Sequence, residues 1–127
     1  MKVVVDTSII VDFLRRQTDS DSYYIQLKQK EVVVISLITV AELYSGRSAY
    51  EAKQNQYIQN IVHTAEVVIP TQETAKMAGR LRLDYSLSLA DAFIAALALD
   101  LNVPLATLNV RDLKQIDGLK MLPQKLK

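Results

Sequence analysis

Five oxygen-bearing side chains, Asp6, Glu42, Asp91, Asn109 and Asp112, have the types and placement to share one chemistry. Carboxylates crowded together repel one another strongly unless a cation sits among them. An oxygen-only ligand set suits Mg²⁺ or Mn²⁺ rather than zinc or copper. Such a site can activate water and clamp a phosphodiester through its transition state. Each residue alone also has a plainer reading. Asp6 can be an ordinary turn aspartate, and Glu42, in LITVAELYSG, can face solvent or pair with Arg47. Asn109 can be an N-cap after a strand, with Asp112 at capping spacing behind it.

Asp91 is the most informative of the five. It is the only charged residue between Leu87 and Leu99, in LSLADAFIAALAL, on a helix apolar around its circumference. Such a helix is expected to be buried, and a buried Asp needs a partner because desolvating a carboxylate is costly. The local partner is Ser88, three residues back, at capping-box spacing. The other partner is a cation.

The elements that must position these groups follow from the chain in order. KVVVD opens with three β-branched residues, a strand buried on both faces, and Asp6 ends it. Thr7 and Ser8 are expected to cap a helix over residues 9–15. QTDSDSYYIQLKQK reads as a second helix, with Thr18 and Asp21 at capping spacing. Residues 32–35 form the second strand, and Ser36 caps a helix running to about Ser45, where Gly46 ends it. Residues 47–63 read as one amphipathic helix with Tyr50, Tyr57, Ile58 and Ile61 as its apolar stripe. Residues 66–69 are a third strand, followed by helices opened by Thr71 and Ser88. Residues 103–107 hold a fourth strand, Asn109 opens a short helix that Gly118 breaks, and residues 120–122 are a weak last strand.

This alternation predicts an α/β protein: a three-layer α/β/α sandwich around a mainly parallel sheet of four to five strands. Right-handed crossovers put the carboxyl ends of the strands on one edge. Asp6, Asn109 and Asp112 follow strands there, while Glu42 and Asp91 lie on helices that begin near it. Ligands of open α/β sheets bind at that edge.

Composition narrows the classes. The 127 residues are expected to form a single domain spanning 1–127, and half of them are hydrophobic. The absence of cysteine excludes disulfides, thiolate zinc sites and cysteine nucleophiles. The amino end meets an acid after three apolar residues, so no signal peptide is expected, and no membrane association. A cytoplasmic location is the expectation. A net charge of +1 does not mark a strongly basic nucleic-acid binder, so any such contact needs a local basic cluster.

Taken in order, VVVDTSIIVDFL, ITVAELYSG, LADAFIAALAL and PLATLNVRDL resemble the motifs of PIN-domain ribonucleases, most closely the VapC-type toxins of toxin–antitoxin pairs. The resemblance covers almost the whole chain. It implies a Mg²⁺- or Mn²⁺-dependent endoribonuclease whose catalytic, metal-holding acids fall on Asp6, Glu42 and Asp91. The family's fourth acidic position falls on Asn109, which removes a charge that Asp112 could restore. The hydroxyl before that position matches Thr107, and the one after the first acid matches Thr7 or Ser8. The resemblance also implies an RNA substrate, a homodimer and a small antitoxin protein as partner.

Other residues have the surface as their default. His63 stands alone. Arg47, Arg80, Arg82 and Arg111 are solvated positions, with Arg82 and Arg111 the candidates for supporting RNA phosphates. Two rivals bear on the reading. A haloacid-dehalogenase-like phosphatase needs Asp-x-Asp, and position 8 is Ser. A PIN module that binds RNA or a partner without cleaving stays open because of the reduced fourth position.

Overall fold

The computed structural model describes residues 1–16 and 21–122. Four strands, β1 (Lys2–Val5), β2 (Val32–Ser36), β3 (Glu66–Val68) and β4 (Leu105–Ala106), form one sheet in the order β3-β2-β1-β4. Every pairing is parallel; Val4, for example, stands beside Val34 on one side and Leu105 on the other. The helices among the described residues are α1 (Thr7–Arg16), α2 (Tyr23–Lys30), α3 (Leu37–Leu43), α4 (Ala52–Thr64), α5 (Gln72–Tyr85), α6 (Leu89–Leu101) and α7 (Val110–Leu113).

The period of two along each strand divides the core into two halves. Val3, Val5, Val33, Ile35 and Ala106 face one layer, built with Ile9, Ile10 and Phe13 of α1, Tyr24 of α2 and Ile58 of α4. Val4, Val34 and Leu105 face the other, with Ala78 of α5 and Ile94, Ala95 and Leu97 of α6. This is the expected three-layer sandwich. Val3, Val4 and Val5 are fully buried, as a central strand between two helical layers requires.

The topology places the site. From β1 the chain winds outward to β2 and β3, and then lands β4 on the opposite side of β1. The crevice beyond the carboxyl ends of β1 and β4 is therefore the switch point of the sheet. Asp6 follows β1 and Thr107 follows β4 directly into it.

Several local expectations are corrected. Thr7 and Ser8 lie within the first turn of α1 instead of capping it; their hydroxyls have partners across the sheet edge, Glu42 for Thr7 and the Leu108 N–H for Ser8. The expected Thr18 cap lies outside the described residues; Ser22 caps α2, its Oγ accepting from the Ile25 N–H at 3.4 Å. Helix α3 ends at Leu43, short of Gly46, whose φ of −100° is not left-handed. The segment read as one helix over 47–63 is a 3₁₀ turn, Arg47–Tyr50, and then α4, with extended Glu51 between them. Tyr50 is consequently exposed, while Ile58 and Ile61 keep the buried stripe. Residues 120–122 make one parallel bridge, Leu105 to Met121, instead of a strand. The caps read at Ser36, Thr71 and Ser88 are in place, each hydroxyl accepting a backbone N–H of its first turn.

Candidate active site

A cleft of about 430 Å³ opens at the switch point, and Asp6, Glu42, Asp91 and Asn109 all line it, with Thr7 and Ser8. These groups come from the end of β1, from α3, from the first turn of α6 and from the loop after β4. Each element supplies one carboxylate or amide, and each carboxylate is braced by a donor.

Asp6 is the deepest, only 3 % exposed. Thr107 Oγ1 donates to its Oδ2 at 2.5 Å and Ser8 Oγ donates to the same oxygen at 2.8 Å. Both hydroxyls are themselves fed by backbone. Ser8 Oγ accepts the Leu108 N–H at 3.1 Å, and Thr107 Oγ1 accepts the Asn109 N–H at 2.9 Å. Two chains of hydrogen bonds thus run from the loop after β4 to one carboxylate oxygen, and such chains polarise one another.

Glu42 is exposed, but toward the cleft. Thr7 Oγ1 lies 2.6 Å from Glu42 Oε1 and 3.0 Å from Thr39 Oγ1. With one proton to give, the hydroxyl gives it to the shorter, charge-assisted contact. Thr39 is fully buried and sets the wall behind this pair.

Asp91 is half-buried. Its backbone N–H donates to Ser88 Oγ at 3.1 Å, which is the capping half of its local reading. Its carboxylate has a second, distant partner: Asn109 Nδ2 donates to Asp91 Oδ2 at 3.0 Å. Asn109 stands at the N-cap position of α7, yet its side chain makes no capping hydrogen bond. The amide spans the cleft wall instead. Asp112 is exposed and does not line the cleft; its charge reaches Asp91 as the weakest of several influences.

The electrostatics follow from burial and like charge. Burial raises the pKa of Asp6 above the ordinary carboxylate value, opposed by the Thr107 and Ser8 hydroxyls and the Thr7 backbone, with the Glu42 charge adding to the rise. Burial also raises Asp91, and the charge of Asp6 adds to it, against the hydrogen bonds of Ser88 and Asn109. Among the described residues no ion pair reaches Asp6, Glu42 or Asp91.

The donor set is all oxygen and mostly anionic, which fits a hard divalent cation. Among the described residues no three acidic side chains stand close enough to form a ready ligand cluster. That spacing agrees with like charges turned each to its own hydroxyl or amide donor. Asp6, Glu42 and Asp91 could hold such a cation, with Asn109 Oδ1 as a neutral fourth donor.

The raised pKa values carry a sign. A carboxylate whose folded pKa lies above its unfolded value lowers stability as pH rises through that interval. With EDTA present, the melting temperature of Asp6→Asn minus that of the wild type should widen as pH rises from about 4 to 7. A difference that stays constant or narrows over this window contradicts the burial argument.

The remaining sequence candidates divide. Thr7, Ser8 and Thr107 are at the site. Arg82 lines a separate depression with Gly79, Leu83, Ser86 and Leu87, and Arg111 does not line the cleft. Arg80 pairs with Asp84 at 3.1 Å, and His63 is exposed. Val11, Asp12 and Arg15, none of them a candidate from the sequence, line the same cleft. Their signal was present: they stand three, four and seven residues after Ser8, on one face of α1.

A family model described as the PIN domain matches residues 3–119. No curated protein matches the chain. Among solved structures, the chain is similar to VapBC2 from Rickettsia felis bound to a DNA fragment from their promoter. The TM-score is 0.79 at 24% identity, covering 96% of this chain and 98% of that one. A toxin–antitoxin complex from Klebsiella pneumoniae matches with a TM-score of 0.77 at 26% identity, covering 96% and 97%. VapC20 from Mycobacterium tuberculosis, described as a sarcin-ricin loop cleaving toxin, matches with a TM-score of 0.65 at 16% identity, covering 80% and 84%.

Proposed function

The chain belongs to the PIN-domain family, and on that footing we propose that it is a Mg²⁺- or Mn²⁺-dependent endoribonuclease, the toxin of a VapBC-type pair. The observation that supports the reading is that Asp6, Glu42 and Asp91 all line one cleft at the switch point, each braced by a donor from another segment. Residues 1–127 act as one domain in this reading, in the cytoplasm and as a homodimer. Among the described residues no helix is long and apolar enough to cross a membrane. The likeness to structures solved as toxin–antitoxin complexes supports a small antitoxin protein as partner.

A divalent cation at these acids supplies charge neutralisation and a Lewis acid for phosphodiester hydrolysis. The chain's own residues do the positioning. Thr107 and Ser8 fix the Asp6 carboxylate by its Oδ2, so the group is oriented before substrate arrives. Thr7 steers the Glu42 carboxylate, whose longer side chain would otherwise sample many rotamers. Asn109 ties Asp91 to the loop that also braces Asp6, so one loop orients both acids. In the hydrolysis, a water oxygen forms the new bond to phosphorus, the P–O3′ bond breaks, and the 3′ oxygen takes a proton.

The test is cleavage of RNA with Mn²⁺ and with excess EDTA, with the product ends identified. The expected products carry a 5′-phosphate and a 3′-hydroxyl, and EDTA abolishes their formation. Full activity in EDTA, or a 2′,3′-cyclic phosphate end, overturns the reading. RNA binding without cleavage in Mn²⁺ favours the second reading, a non-catalytic binding module, for which the neutral Asn109 is the supporting observation.

A further inference from the structure

Arg15 is the one basic residue among those lining the cleft. The other charged lining groups, Asp6, Asp12, Glu42 and Asp91, are all acids. Asp12 is already engaged, since Arg16 Nε lies 3.2 Å from its Oδ1. Arg15 is exposed in the last turn of α1 and, among the described residues, takes part in no ion pair. A polyanion approaching this cleft meets acids at its floor and one unengaged guanidinium at its wall.

We propose that Arg15 anchors a phosphate flanking the scissile one, setting the register of single-stranded RNA along α1. The assignment rests on the nuclease reading above. Ser8 and Arg15 share a helix face, and seven residues at 1.5 Å each separate them by about 10 Å along the axis. That rise sets Arg15 two turns along the helix from the acids, a placement that suits the phosphate next to the one held at Asp6. A guanidinium presents a planar fork that matches two phosphate oxygens. The contact is made equally in the ground state and the transition state, so it acts on binding and register instead of on the chemical step.

The test uses the full chain and a fluorescent single-stranded RNA oligonucleotide of mixed sequence, with Mn²⁺, at about 50 to 200 mM KCl. Binding and steady-state cleavage are measured for the wild type, Arg15→Gln, Arg15→Lys and Lys76→Gln. Lys76 is an exposed cation on α5 outside the cleft. Arg15→Gln should raise Kd and KM roughly tenfold at low salt, the size of one charge-assisted contact, and leave kcat unchanged. Its plot of log affinity against log salt should be shallower by about 0.7, the share of one phosphate on a single strand. A fourfold rise in salt then narrows its gap from the wild type about 2.6-fold. Arg15→Lys should keep the wild-type slope, and Lys76→Gln should match the wild type throughout.

If the wild type binds and cleaves but Arg15→Gln matches it in slope and KM, the Arg15 assignment alone is overturned. Binding without cleavage removes the nuclease reading and still judges Arg15 by its slope. Neither binding nor cleavage by the wild type overturns both. Melting curves of the variants show that they are folded.

Discussion

Asp6→Asn should lower the rate of RNA cleavage by roughly a hundred- to a thousandfold, the usual cost of removing one preorganised electrostatic group. The protein should remain folded. Both hydroxyl donors to Asp6 end on Oδ2, and the carbonyl oxygen of an asparagine can accept both in the same place. What the change removes is the charge, and that charge is held at a cost, since burial raises the pKa of Asp6. In EDTA the variant should therefore melt at or above the wild type. Loss of activity together with gain of stability separates a working carboxylate from a structural one, because a structural acid loses both when neutralised. An Asp6→Asn variant that cleaves as fast as the wild type contradicts the role given to this residue.

Much of the scaffold was legible because its causes are local. Three consecutive valines demand burial on two faces, and Val3, Val4 and Val5 divide between the two cores. Ser36, Thr71 and Ser88 cap their helices with hydroxyls whose partners lie two or three residues away. The site was legible as a set of residue types but not as a geometry. Thr107 and Asp6 are 101 residues apart in the chain and Ser8 and Leu108 are 100 apart, so no local pattern reveals either bond. Thr7 and Ser8 look like caps to any local reading, since the same hydroxyl can cap a helix or cross to another element. The competition is decided by the sheet, which brings the loop after β4 beside β1.

Asn109 shows the same limit from the other side. Its position reads as an N-cap and its backbone sits at one, while its amide reaches Asp91 instead. Arg82 and Arg111 are the phosphate candidates that the sequence offers, and neither lines the cleft; Arg15 does, because α1 leaves β1 along it. Glu51, extended between the 3₁₀ turn and α4, breaks what the hydrophobic pattern joins into one helix.

Asp91 offers the second large effect, and it runs in opposite directions with and without metal. In the metal-free protein its charge is opposed by burial and by Asp6. Asparagine at this position keeps the backbone bond to Ser88 and an oxygen for the Asn109 amide, while relieving both penalties. Asp91→Asn should therefore melt at or above the wild type in EDTA. A cation that binds only the folded state adds about 2.7 kcal/mol at a hundred times its Kd. For a chain of this length that is a rise of about 10 °C in the wild type. Removing one carboxylate should take most of that rise away.

Melting curves of the wild type and Asp91→Asn, each in EDTA and in saturating Mn²⁺, test the central claim that these carboxylates form one cation site. The account predicts a Mn²⁺-dependent rise in the wild type, and a variant at least as stable in EDTA that gains much less from Mn²⁺. A wild type indifferent to Mn²⁺, or a variant destabilised in EDTA with an unaltered metal response, would contradict it and leave Asp91 as the capping partner of Ser88.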